Sequence, residues 1–159
     1  MLSVINEASG YTNCHTYLNS TTYPAAYYAM RHSLEYPSSK CTGWFLPTMG
    51  QWYIVFRNLG QMSSTTFDES GSNDQVAGSL SIITNINNKL SVLGTNGTDY
   101  HSVKYSTSVS LRYWTSTEHT DNRAQDWGWL YNYSPPGINI GSDPNNKTWA
   151  QYVRPFLAF

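Results

Sequence analysis

At 159 residues with a formal charge of −1, the chain has the length of one domain. It can build a hydrophobic core without staples, and it lacks the cationic excess of a general nucleic-acid or membrane-surface binder. Charged residues make up only 12% while 13 Tyr and 6 Trp raise aromatics to 15%, which fits either a recognition surface that works by contact area and hydrogen bonds or an aromatic-rich β core. No apolar run approaches the roughly 18 residues that cross a bilayer, and MLSVINEASG has no basic stretch ahead of a long apolar one. A signal for export would lie outside this chain.

In chain order, Leu2 to Ile5 is a short β-prone run, ended near Gly10, that could pair with a strand at the far end of the chain. TTYPAAYYAMRH reads as a short helix with Pro24 in its first turn, where the missing N–H costs nothing. The strongest local signal is GWFLPTMGQWYIVFRNLG, Gly43 to Gly60. Thr48 and Gln51 have the spacing of a capping box, and Pro47 stops any earlier helical start. Met49, Trp52, Val55, Phe56 and Leu59 then recur at helical spacing, and Gly60 is expected to supply the left-handed residue that ends the helix.

After a small-residue loop from Ser63 to Asp74, Val76, Leu80, Ile83, Ile86, Leu90 and Leu93 mark a second amphipathic helix closed by Gly94. A polar connector, Thr95 to Ser110, leads into extended patterns: RYWTSTE, DWGWLYNY and YVRPFLAF, separated by SPPG and GSDPNN. Val153, Pro155, Phe156, Leu157 and Phe159 demand burial, so the last segment is read as an anchored strand. Helices first and strands last predict one α+β domain, 1–159, with helices packed on a small antiparallel sheet and the N- and C-terminal strands close together.

The sequence carries little of the chemistry of catalysis. Cys14 and Cys41 are its only cysteines; they either bridge, closing a loop of about 26 residues, or remain two buried thiols. Neither belongs to a metal-binding pattern, and no metal or cofactor is expected. There is no G-x-S-x-G elbow, and His15, His32, His101 and His119 have no recognisable catalytic partners. Glu118 with Asp121 or Asp126 could meet glycosidase geometry only by coincidence.

Three segments in order, GWFLPTMGQW, YWTSTE and the closing VRPFLAF, resemble the variable proteins of diversity-generating retroelements of gut bacteria and their phages, over about Gly43 to Phe159. The resemblance implies a C-type lectin fold of the branch shared with formylglycine-generating enzymes and Fibrobacter-type major paralogous domains. The calcium motifs of sugar-binding lectins are missing, and the late cysteines of the related oxidase are missing too. It further implies a noncatalytic receptor-binding or adhesin module. Its variable region, about 113–159, would be rewritten by adenine mutagenesis on an invariant frame of Trp114, Ser116, Thr117, Glu118, Val153, Arg154, Pro155, Leu157, Ala158 and Phe159, with Glu118 and Arg154 as a candidate ion pair.

Between the frames, the residues carried over as ligand contacts are His119, Asp121, Asn122, Arg123, Asp126, Trp129, Tyr131, Tyr133, Ser142, Asp143, Thr148, Trp149, Ala150 and Tyr152. The ligand would be a protein or glycan on a cell or phage-host surface, with no nucleic acid and no membrane insertion, and the module would sit on a cell surface or a virion. The competing readings are a lectin or adhesin of fixed specificity and a degenerate enzyme of the formylglycine-generating type.

Overall fold

In the computed structural model the described residues are 9–18, 20–32, 43–63, 76–78, 80–92, 102–132, 136–140 and 145–158. Among these residues four helices, α1 (Gly10–Thr12), α2 (Pro24–Met30), α3 (Met49–Asn58) and α4 (Leu80–Ser91), accompany seven strands; α1 continues into a π-helical turn, Asn13–Tyr17. The strands are β1 (Gly43–Phe45), β2 (Val76–Gly78), β3 (Leu111–Thr120), β4 (Arg123–Leu130), β5 (Gly137–Ile140), β6 (Asn145–Asn146) and β7 (Phe156–Ala158). The protein is thus mixed α and β, with antiparallel sheets.

The helix expected after Pro47 forms as its cap dictates. Thr48 is extended, its Oγ1 accepts from Gln51 N at 3.1 Å, and Gln51 Oε1 accepts from Thr48 N at 3.0 Å. A third donor of the first turn, Met49 N, is satisfied from elsewhere in the chain, by Thr117 Oγ1 at 3.0 Å. Each bond removes an orphan N–H that the helix cannot pair internally. Replacing Thr48 with alanine is expected to cost about 1 kcal/mol, measurable by urea denaturation. No loss of stability would mean that Thr117 and water suffice.

The helix ends differently from its sequence reading. The left-handed residue is Gln61, at φ 59°, and Gly60 does not have a positive φ. Gly60 is needed for space, because a Cβ there would come within 2.5 Å of both Phe56 O and Ile82 Cγ2. That absence of a side chain lets α4 close on α3, and Asn85 Nδ2 donates to Gly60 O at 3.1 Å across the junction.

The second helix is shorter than its apolar periodicity suggests. Val76 belongs to β2, Leu80 is exposed, and the buried face is Ile82, Ile83 and Ile86, with Leu90 partly covered. Leu93 and Gly94 lie outside the described residues. Asn87 fastens this helix to the connector by a two-way clasp on Val103, donating to its carbonyl at 3.0 Å and accepting from its N–H at 2.8 Å.

The main sheet has the order β2-β5-β4-β3, with β6 also pairing with β4, and all of these pairings are antiparallel. On the β3/β4 ladder, Tyr113 faces Trp127 and Trp114 faces Asp126, and the register shifts between Trp114 and Glu118. The core centres on Trp127, whose ring stacks on Tyr113 at 4.5 Å and meets Trp52 and Phe56 of α3 at 4.7 and 4.9 Å. A second cluster joins Cys14, Ala26, Ala29, Phe45, Leu46, Trp114 and Ala124. Cys14 is a free thiol, its Sγ bonded to the backbone of Leu46, and burial pushes it up to about 11. Cys41 lies outside the described residues.

The apolar chain end is tied down, and its partner among the described residues is a strand the sequence reading does not name. β7 pairs antiparallel with β1, Trp44 opposite Leu157 and Phe45 opposite Phe156, and these are the two strands of this sheet among the described residues. Leu2 to Ile5 lie outside the described residues. Phe156 reaches Trp52 at 5.1 Å and Phe45 at 6.1 Å, so the last strand belongs to the same aromatic core as α3.

Candidate functional site

Two motifs that are distant in sequence meet at β3. Thr117 caps α3, Ser116 N donates to Pro47 O at 2.9 Å, and Asn13 Nδ2 donates to Ser116 O at 3.2 Å. Thr115 Oγ1 donates to Gln125 O at 2.8 Å. The run Trp114 to Thr117 is therefore a buried frame joining β4, the start of α3 and the π-helical turn.

The segment 147–152 crosses beside the other end of this strand. Tyr152 makes a parallel bridge with Tyr113, its N–H donating to Arg112 O at 2.9 Å and its carbonyl accepting from Trp114 N at 3.0 Å. Trp149 N donates to Asn146 O at 2.9 Å, Trp149 O accepts from Trp114 Nε1 at 3.3 Å, and Lys147 N donates to Asn122 O at 3.0 Å. These tethers use backbone atoms of the segment. The side chains of Thr148, Trp149, Ala150 and Tyr152 are exposed, Trp149 by 57% and Tyr152 by 48%.

Beneath the segment lies a polar hub. Asp126 is fully buried in β4; Arg112 Nη1 donates to its Oδ1 at 3.0 Å, while Asn145 Nδ2 and Gln151 Nε2 donate to its Oδ2 at 2.5 and 2.7 Å. Burial raises its carboxyl above the ordinary range, against the opposing pull of Arg112 and the two amides. The hub pins β6 and the 147–152 segment to the sheet.

The expected contact residues separate into three groups. His119, Asp121, Asn122, Arg123, Tyr131, Thr148, Trp149, Ala150 and Tyr152 are exposed. Tyr133, Ser142 and Asp143 lie outside the described residues. Asp126 and Trp129 correct the expectation, since neither faces solvent: Asp126 is the hub, and Trp129 is 4% exposed with its Nε1 donating to Ser106 O at 2.7 Å. Strand β4 is covered on both faces from Ala124 to Leu130, so outward display stops at Arg123 and resumes at Tyr131. Glu118 is also corrected, because its carboxylate pairs with Lys147 and not with Arg154. Arg154 is largely buried, which lowers its pKa, with Tyr113 opposing.

Sequence reading missed the opposite bank. A groove of about 400 Å³ runs between the start of α2 and the 147–153 segment, with Tyr23 and Tyr28 on one side and Thr148, Trp149 and Ala150 on the other. Lys147 Nζ lies 5.7 Å from the centre of the Tyr23 ring. Nothing local in TTYPAAYY signals this role, since the groove exists only once α2 is folded against Trp114.

Among the described residues no cluster of His, Cys, Asp or Glu could hold a metal ion, and no helix is long and apolar enough to cross a membrane. Comparison with protein-family models, with curated proteins and with solved structures gives no match.

Proposed function

We propose that the chain is a noncatalytic ligand-binding module, a receptor-binding or adhesin domain, displaying a variable aromatic-rich surface on a C-type lectin fold. The proposal includes diversification of that surface by a retroelement, as the resemblance in the three motifs implies. The observation that supports it best is how the 147–152 segment is held. Its backbone and the buried hub fix its path, leaving the exposed side chains of Thr148, Trp149 and Ala150 free to differ, with Tyr152 half exposed and its ring resting 5.4 Å from that of Tyr113.

Tyr and Trp give such a face large, stiff contact area at low entropic cost, while neighbours such as Asn122 and Arg123 supply adaptable hydrogen bonds. The ligand is a protein or glycan on a cell or phage-host surface, and repeated display would supply avidity to a modest single contact.

The test replaces Thr148, Trp149, Ala150 and Tyr152 together by Ser, Ala, Ser and Ala. Wild type and variant are each screened on one glycan array and one panel of bacterial surface proteins. Stability in urea is expected to stay within about 1 kcal/mol, as for surface positions generally, while the ligand selected by the wild type is lost. A collapse of stability, or an unchanged ligand profile, overturns the reading.

A further inference from the structure

A second hollow, of about 440 Å³, lies between the start of β3 and the 149–152 segment, with Ser110 and Arg112 on one wall and Trp149 and Tyr152 on the other. Among the described residues that line it, Arg112 is the one that carries a charge. Its guanidinium is tied at a single point: Nη1 donates to Asp126 Oδ1, and the second oxygen of that carboxylate is already taken by Asn145 and Gln151. The two-point pairing open to a guanidinium and a carboxylate is therefore not made. Nε and Nη2 make no hydrogen bond to a described residue, and the side chain is partly exposed, so N–H donors of the fork remain for a partner from outside.

We propose that this hollow binds an acidic sugar of a surface glycan, a pyranose carrying one carboxylate. The inference rests on the reading of the chain as a binding module and names the ligand class for this face. The free side of the Arg112 fork takes the carboxylate, the acceptor whose planar geometry it matches. Trp149 and Tyr152 are each about half exposed and present ring surface to the apolar face of a sugar ring. The Tyr152 ring rests 5.4 Å from that of Tyr113, which holds it in place before a ligand arrives. Neither the indole N–H of Trp149 nor the Tyr152 hydroxyl bonds to a described residue, and both are available to the sugar's hydroxyls.

Charge and hydroxyls narrow the occupant. Arg112 shares its one positive charge with Asp126, which leaves too little to compensate a doubly charged phosphate, whereas a monoanion can share the fork. A carboxylate at a peptide's end or on an acidic side chain would meet Arg112 but bring no hydroxyls to Trp149 and Tyr152. A neutral sugar would meet the rings and leave the fork to water. The volume falls within the range of small-ligand sites. Ser110 and Arg112 precede the region expected to vary, while Trp149 and Tyr152 lie in it, so the group that reads the acid would persist while variation alters which sugar the rings accept.

The experiment titrates the ¹⁵N-labelled protein with methyl β-D-glucuronide, methyl β-D-glucoside and inorganic phosphate, following the Arg112 Nε–Hε and Trp149 indole signals together with the backbone amides. The glucuronide is expected to shift both side-chain signals and to bind about tenfold more tightly than the glucoside, the worth of one charge-assisted hydrogen bond. Phosphate should bind more weakly than the glucuronide. Arg112→Lys keeps a charge beside Asp126 but loses the fork, and should cut the preference to about threefold or less. Trp149→Ala should weaken both sugars. Equal binding of the two sugars, phosphate binding as tight as that of the glucuronide, or shifts that map elsewhere overturn the proposal. If a variant does not fold, the three probes on the wild type decide. A ligand found in the screen above with no glucuronide binding defeats the hollow alone; glucuronide binding with no ligand selected in that screen defeats the module reading.

Discussion

Replacing Asp126 with alanine is expected to destabilise the protein by about 2–4 kcal/mol, the cost of leaving hydrogen-bond donors without a charged acceptor in a buried site. The carboxylate takes bonds from Arg112, Asn145 and Gln151, on β3, β6 and the 147–152 segment. Arg112 is 28% exposed and keeps water as a substitute, which holds the cost below that of a fully buried ion pair. Urea denaturation measures the loss, and amide exchange at Trp149 and Tyr152 should accelerate beyond that of α3. Uniform exchange across the molecule would mean that the hub does not specifically hold the displayed segment.

The same residue gives a pH dependence with a definite sign. Because burial raises its folded pKa above the unfolded value, Asp126 binds its proton more tightly in the native state. Its contribution is fully present below the ordinary carboxylate range and is lost as pH rises through the raised value. The stability of wild type relative to Asp126→Asn, which does not titrate, should therefore fall with increasing pH across that interval and then level. A difference that grows with pH would show that the three donors outweigh burial.

The Trp127→Ala variant is expected to lose about 3–5 kcal/mol, the range for removing a large buried aromatic. Trp127 has no exposure and joins Tyr113, Trp52 and Phe56, so the deletion opens a cavity where α3 meets the sheet. At this chain length that corresponds to a fall in Tm of about 10–15 °C. A loss below about 1.5 kcal/mol would mean that α3 can settle onto the sheet without it.

What could be read from the sequence was local, and what could not was long-range. The Thr48 and Gln51 pair announced α3 because both halves of its cap lie within one turn, and the aromatic runs announced β3 and β4. β1 escaped notice because three residues carry no period, and its identity comes from Phe156 to Ala158 across the chain. Gly60 reads as a helix-ending turn residue from its position alone, whereas its need is a steric one, set by Phe56 O and by Ile82 on another helix.

The expectation that Asp126 and Trp129 face a ligand comes from the resemblance, which assigns a stretch of chain and not the burial of each side chain in it. Their burial follows from partners that no local window contains: Asn145 and Gln151 for the carboxylate, and Ser106 for the indole. The exposed set was legible where it occupies turns, at Asp121, Asn122 and Tyr131. The opposite bank of the groove was not, because Tyr23 and Tyr28 look like ordinary helix residues until α2 is docked.

Since the Trp149 to Tyr152 stretch is moored chiefly through its amides and carbonyls, the fold should accept a combinatorial library there with few misfolded members. An engineer seeking new binders would randomise 148, 149, 150 and 152, and leave Arg112, Asp126, Asn145 and Gln151 untouched as the chassis.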